Sequence, residues 1–242
     1  MHILNQDIEF VEENRACSYF DENISDIRYK YMYSCSTTQY QGMLERGWRR
    51  FGRMHFVPEC KNCTKCVSMR IDVANYKFSK SEKRVIAKNK DTKLYIRPPS
   101  MTMEHLELYD KYHKFMNDKK DWPYSAISPD DYLKSYVEAK EEFAKEFLYV
   151  RDNKLIGVAL VDILPKSISA IYCYYDHDYA DLSIGKFSVL AQIKIAKELK
   201  VPYIYLGYWI KDHFSMGYKE AYTPFEILKN RAYFDEMPVW EK

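Results

Sequence analysis

The sequence predicts an α+β fold, and three features of its second half carry that prediction. Two segments with helical spacing come first. Strands joined by short turns follow, and a long amphipathic helix then leads into one further strand. The first helix is expected in MTMEHLELYDKYHKFMND, where Met103, Leu106, Tyr109, Tyr112 and Met116 recur at near-helical spacing. The second opens at Ser128, a suitable N-cap, with Pro129 in the first turn and acidic residues after it. EFLYV and KLIGVALVDIL flank Arg151-Asp152-Asn153 and read as a hairpin, and SISAIYCYYD reads as a third strand. SIGKFSVLAQIKIAKELK places Ile184, Phe187, Ala191, Ile195 and Leu199 toward one side of a helix, and YIYLGYW after Pro202 is the last strand. The order α-α-β-β-β-α-β suits an acyltransferase-like α+β core, although a fold alone assigns no function.

The remaining chain has a different texture. Residues 1–78 hold five of the six cysteines, are rich in Arg and Tyr, and read as a smaller cysteine-bearing domain. Residues 79–93, FSKSEKRVIAKNKDTK with its first residue trimmed, read as a basic connecting segment before the domain of residues 94–242. The 242 residues carry a net charge of +2, so no global field marks a nucleic-acid binder and any basic surface must be local. The first residues, MHILNQDIEFVEEN, lack the basic start and apolar run of a leader, and no apolar stretch nears the roughly 18 residues that span a bilayer. A cytoplasmic, membrane-free and monomeric protein is expected, with cysteines that serve as thiols or ligands. The 23 tyrosines suit half-buried strands or stacking on nucleobases.

Five segments carry candidate chemistry. CKNCTKC sets Cys60, Cys63 and Cys66 at ligand spacing; with Cys17 preferred over Cys35 as the fourth, they fit structural zinc or an iron–sulfur cluster. Upstream, Arg49, Arg50 and Arg53 stand among Trp48, Phe51 and Phe56, with Gly47 and Gly52 suited to turns; guanidinium groups there would bind carboxylate or phosphate. Lys80, Lys83, Arg84, Lys88 and Lys90 form a basic run for phosphate or acidic peptide, or a solvated face. Asp176, His177 and Asp178 end a strand before the long helix, where Asp176 is the candidate proton acceptor and Gly185-Lys186 opens a helix N-terminus that can hold phosphate. Finally, Trp209, Lys211, Tyr218 and Lys219 alternate rings with cations, as contacts to single-stranded RNA do.

In their order along the chain, GWRRFG, CKNCTKC, SMRI, FSKSEKR, YYDHDY, LSIGKFS, YIYLGYWI and MGYK resemble the aminoacyl-tRNA–protein transferase family, the arginyl-tRNA–protein transferases, and most closely its bacterial leucyltransferase branch. The resemblance spans roughly residues 8–230. It implies a GNAT-type acyltransferase domain behind a cysteine-bearing domain. It also implies transfer of leucine from leucyl-tRNA to the N-terminal α-amine of proteins that begin with Asp or Glu, which marks them for degradation. No cofactor is implied for the transfer itself. On that reading Arg49, Arg50, Arg70, Lys80, Lys83 and Arg84 receive the acidic N-terminus. Gly185, Lys186, Trp209, Lys211, Tyr218 and Lys219 hold the tRNA, and Asp176 takes the proton. An arginyl donor is the alternative within the family. A coenzyme A-dependent acetyltransferase is the alternative outside it, and the single glycine at 185 argues against that.

Overall fold

The computed structural model describes residues 7–139 and 141–242. The first six residues, on which the reading of the N-terminus partly rests, lie outside them. The chain runs β1 (Ile8–Ala16), β2 (Ile24–Tyr31), α1 (Thr37–Glu45), β3 (Arg49–Phe51), β4 (Met54–Pro58) and β5 (Val67–Asp72). It continues through α2 (Lys80–Lys88), β6 (Lys93–Arg97), α3 (Met103–Lys120), α4 (Pro129–Tyr132), β7 (Ala144–Arg151), β8 (Lys154–Ile163) and β9 (Ser167–Tyr175). A 3₁₀ segment at His177–Leu182 leads into α5 (Ile184–Glu198), then β10 (Tyr203–Trp209), a 3₁₀ turn at Gly217–Ala221, β11 (Phe225–Leu228) and β12 (Trp240–Glu241). The fold is α+β, as expected, with two sheets. A four-stranded sheet has the order β1-β2-β4-β3, and an eight-stranded sheet has the order β12-β11-β5-β10-β9-β8-β7-β6. All pairs in the larger sheet are antiparallel except β9 with β10.

The elements read from the second half form where periodicity and caps placed them. Ser128 accepts from the Asp131 N–H with Pro129 behind it, and the α4 turn continues as a single π-turn at Leu133–Val137. Asp152 and Asn153, at φ 50° and 60°, close the β7–β8 hairpin in the left-handed conformation that such two-residue turns require.

The first 93 residues differ from the expected division. β5 is built into the large sheet between β11 and β10, so a boundary at 78 cuts through shared sheet. The connecting segment is a helix. Ser79 and Glu82 form a capping box: Ser79 Oγ accepts from the Glu82 N–H, and Glu82 accepts from the Ser79 N–H at 2.8 Å. Val85 and Ile86 then pack on the main core beside α5. Gly52, at φ 54°, opens the β3–β4 turn so near the π-turn after α4 that a Cβ would stand 2.0 Å from the Lys134 carbonyl oxygen.

Candidate active site at the β9–β10 fork

β9 and β10 pair in parallel at only three positions, Tyr203 with Ser167, Ile204 with Ile168 and Tyr205 with Ser169. Beyond these the two strands part. The cause lies in β10: Gly207 takes φ 81°, and the register against β5 breaks between Tyr205 and Tyr208. A bulge at a glycine bends its strand and re-aims the residues that follow. Past the last parallel pair, β9 has no β10 partner for its backbone groups, and polar backbone without a strand partner is ready to hold a ligand. The crevice beyond the carboxyl ends of parallel strands is also where open sheets bind ligands.

Lys219 reaches from the 3₁₀ turn after β10 back onto the bulged backbone of β10 at Gly207 and Tyr208. It is only 5% exposed. Its Nζ donates to the Tyr208 carbonyl oxygen and lies 3.6 Å from Met216 Sδ. Because residue 207 has no side chain, nothing separates the amine from the bulged backbone; a Cβ there would sit 3.8 Å from Nζ. Burial pushes the Lys219 amine down to about 7, and the nearby Arg49 guanidinium pushes the same way against an opposing influence of Cys66. Arg49 is itself buried, donating to Trp48 O at 2.6 Å and to Ser68 Oγ, with the Tyr205 and Tyr208 rings 5.3 and 5.5 Å from its guanidinium carbon. An amine near neutrality beside a fixed cation can accept a proton and return it.

On the other arm of the fork, α5 starts without a side-chain cap. Ser183 is left-handed at φ 53°, so the first α5 amides have no capping oxygen. Gly185 lies against the Tyr175 ring; a Cβ there would come within 2.9 Å of Tyr175 Cε1. Gly185 and Lys186 therefore occupy a helix start beside the end of β9, as the sequence suggested.

A cleft of about 770 Å³ adjoins the end of β10. Trp209, Lys211 and His213 line it from one side, and Tyr19, Phe20 and Lys65 from the other, with Asp212 also in the wall. Lys65 Nζ stands 4.3 Å over the Phe20 ring, and His213 shares a hydrogen bond of 3.0 Å with Tyr19 O. The Trp209 indole Nε1 is buried with no partner among the described residues. Trp209 and Lys211 thus meet in one cleft, whereas Tyr218 and Lys219 do not line it.

Several expected site residues are engaged elsewhere. Arg50 is not offered to an acceptor. It donates through Nε to Asp162 at 2.8 Å and through Nη2 to the other oxygen, and its guanidinium faces Tyr40 and Phe143. Asp162 is 0% exposed, so this is a core ion pair. Arg70 pairs with Glu226 at 2.6 Å between the Tyr203 and Trp240 rings. Lys80, Lys83 and Arg84 stand apart from these arginines, on the exposed face of α2. Asp176 is 1% exposed, caps the 3₁₀ turn through the Asp178 N–H at 3.0 Å, and is clamped by Lys111 at 2.6 Å and Lys154 at 2.8 Å. Burial works to raise its carboxyl, but hydrogen bonds from the two ammonium groups outweigh that and hold it below the usual carboxylate range. A carboxylate so stabilised is a weak proton acceptor; its geometry is that of a brace at the entry to α5.

The N-terminal cysteines form one neighbourhood that excludes Cys35, which belongs to the core around α1. Burial pushes the Cys66 thiol up to about 12, and Cys17, Cys60 and Cys63 add to the shift. Four thiols suit a soft or borderline cation, but among the described residues no three His, Cys, Asp or Glu side chains come together closely enough to hold one. Arg231 also holds the loop, donating to Cys60 O at 2.7 Å and Cys63 O at 2.5 Å.

Among solved structures, the chain resembles that of FemX with a TM-score of 0.53, covering 86% of this chain and 70% of that one at 8% sequence identity, a likeness of fold alone. The family is shown by sequence. The model for the arginine-tRNA-protein transferase N terminus matches residues 15–84, and that for its C terminus matches residues 104–229. The chain belongs to the arginine-tRNA-protein transferase family. It is 46% identical over 234 residues to an aspartate/glutamate leucyltransferase of Helicobacter hepaticus, with 97% of each chain covered. It is also 46% identical over 237 residues to an aspartate/glutamate leucyltransferase of Campylobacter jejuni, covering 98% of this chain and 99% of the relative. Among the described residues no helix is long and apolar enough to cross a membrane.

Proposed function

We propose that the chain transfers leucine from leucyl-tRNA to the N-terminal α-amine of proteins that begin with Asp or Glu, and that the product is a degradation signal. The observation that carries this reading is the identity of 46% with aspartate/glutamate leucyltransferases over 97% of both chains. The reading treats the large sheet as a GNAT-type acyl-transfer scaffold and the β9–β10 fork as the place where ester and amine meet.

The chemistry needs little from the protein. An aminoacyl ester is already activated, so the α-amine must be positioned and relieved of one proton. In the proposed step the amine attacks the ester carbonyl. Lys219 Nζ takes the proton from the attacking nitrogen and gives it to the departing ribose oxygen as the ester C–O bond breaks. An amine held near 7 suits both halves of that exchange. Asp176 keeps the α5 entry in place, and Gly185 and Lys186 face the phosphate of the tRNA end.

The acidic first residue of the acceptor fits the cleft beside β10. Lys65 and Lys211 line that cleft and form no ion pair with an acidic residue among the described residues. Lys65→Ala together with Lys211→Ala is expected to raise KM for an Asp-starting peptide about 10-fold or more, the scale of one or two lost charge-assisted hydrogen bonds, with KM for leucyl-tRNA unchanged. Steady-state kinetics with each substrate varied in turn checks this. A change confined to tRNA would remove the acceptor from the cleft. The donor is tested by offering leucyl-tRNA, arginyl-tRNA and acetyl-coenzyme A with the same peptide.

A further inference from the structure

The candidate site leaves one charged surface unused. α2 divides cleanly into two faces. Glu82, Val85 and Ile86 turn inward, while Lys80, Lys83, Arg84 and Lys88 are exposed along the opposite side at helical spacing. Lys77 and Lys90 extend the run at both ends and are also exposed. Glu82, the acid within this stretch, is buried and bound to the Tyr76 hydroxyl at 2.6 Å and to Ser79. No ion pair or side-chain hydrogen bond engages Lys77, Lys80, Lys83, Arg84 or Lys90 among the described residues. Elsewhere Lys111, Lys114, Lys134 and Lys154 each stand within 3.4 Å of an aspartate. The outer face of α2 thus carries a run of exposed, unpaired cations with no acidic side chain among them.

The stripe leads to the fork. At its end Lys88 Nζ donates to Asp181 O at 3.1 Å, and Asn89 Nδ2 donates to Leu182 O at 2.8 Å. These carbonyls lie in the turn directly before α5, whose first residues are Ile184, Gly185 and Lys186. Burial works to raise the Glu82 carboxyl, but hydrogen bonds from Tyr76 and Ser79 outweigh that and hold it low, with the Lys186 charge adding to the shift. The C-terminal end of the α2 stripe thus abuts the turn that leads into the uncapped start of α5.

We propose that this face of α2 is the docking surface for the phosphodiester backbone of the donor RNA, which it guides toward the β9–β10 fork. This rests on the leucyl-tRNA reading above. From Lys80 to Lys88 the helix spans about 12 Å, at 1.5 Å per residue, enough to face several backbone phosphates. Flexible, exposed, unpaired cations bind a polyanion by releasing its counterions, without needing one fixed geometry. A single carboxylate at a peptide N-terminus calls for the opposite: a positioned, partly enclosed donor such as those in the cleft. Lys80, Lys83 and Arg84 thus belong to the RNA and not to the acceptor.

The test uses the full chain with Lys80→Gln, Lys83→Gln and Arg84→Gln together, and a charge-keeping control with Lys80→Arg, Lys83→Arg and Arg84→Lys. Binding of a tRNA-Leu transcript is measured across a salt series, and KM for an Asp-starting peptide at saturating leucyl-tRNA. The glutamine variant is expected to bind tRNA about 10- to 100-fold more weakly at low salt. Its slope of log K against log salt should be shallower by about 2, the loss of three phosphate contacts at ~0.7–0.9 each. Peptide KM stays at the wild-type value, and the charge-keeping variant binds as wild type does. A raised peptide KM with unchanged tRNA affinity would overturn the proposal in favour of an acidic-peptide surface. Unchanged tRNA binding and unchanged peptide KM would make α2 a solvated face, and equal loss in the charge-keeping variant would make the effect one of shape. Because the readout is tRNA binding, it stands apart from the functional reading, which is tested by leucine transfer from the wild-type chain.

Discussion

Lys219→Met is expected to lower kcat for leucyl transfer by about 10²- to 10⁴-fold, the usual contribution of a positioned acid–base group, and to raise the melting temperature at pH 6. The two effects have one cause. The Lys219 amine lies near 7 in the folded chain against an ordinary value of 10.5, so folding disfavours its charged form. The unfolded chain binds more protons between those two values, and wild-type stability therefore rises with pH from about 7 toward 10.5. Below about 7 the full penalty of burying the charge is present. Methionine removes that penalty, so the gain is largest in acid and fades toward pH 10.5; in a chain of this size each 1 kcal/mol appears as about 2–4 °C. A residue kept only for structure would lose stability when removed, and would not be both stabilising and inactivating. In wild type, kcat falls as pH drops below about 7, when Lys219 holds its proton. Lys219→Arg, which keeps a charge that does not titrate, is not expected to restore the rate. Calorimetry at pH 6, 8 and 10 beside single-turnover transfer separates the cases; a destabilised variant with near-normal rate refutes the assignment.

The second large effect concerns the fold. Arg50→Ala is expected to destabilise the chain by about 3–5 kcal/mol, read as a lower urea midpoint. The cause is Asp162: at 0% exposure it is left as a charge without its partner, and the Tyr40 and Phe143 rings lose the guanidinium stacked on them. Burial drives the Asp162 carboxyl up while the Arg50 guanidinium pulls against it. Without Arg50 the carboxyl protonates more readily, so the deficit against wild type narrows as pH falls. At temperatures where the variant is folded, KM for an acidic N-terminus is expected to stay near the wild-type value. A selective rise in peptide KM with an unchanged urea midpoint would restore Arg50 to the acceptor site.

This case shows where the sequence stops being legible. GWRRFG reads as a cationic loop because guanidinium groups among rings and glycines look available. Arg50 is committed because Asp162 stands 112 residues away on β8, and no local pattern reports that pairing. Lys219 was similarly grouped with ring-and-cation contacts to RNA. Its burial follows from the bend at Gly207, and a lone glycine in YIYLGYW only hints at a bulge. Elements with strong periodicity and caps, such as α3, the β7–β8 hairpin and α5, were legible because local forces and burial agree there. α2 carries the Ser79-x-x-Glu82 signature of a helix start, but its dense run of basic residues reads equally as a connecting segment. The short β3, β11 and β12 were not, since strands of two to four residues take their register from partners distant in sequence. For Cys60, Cys63 and Cys66, spacing marks the loop, while the contacts of Arg231 with its carbonyls are visible only in the fold.

The central claim is that this chain moves leucine from its tRNA to an acidic N-terminus. The most direct measurement offers labelled leucyl-tRNA or arginyl-tRNA with peptides that differ only in the first residue, Asp, Glu or Ala, and follows the label by mass spectrometry. The account predicts one leucine added to the α-amine of the Asp and Glu peptides, little from arginyl-tRNA, and little onto the Ala peptide. Arginine as the preferred donor, or equal transfer to the Ala peptide, would contradict it.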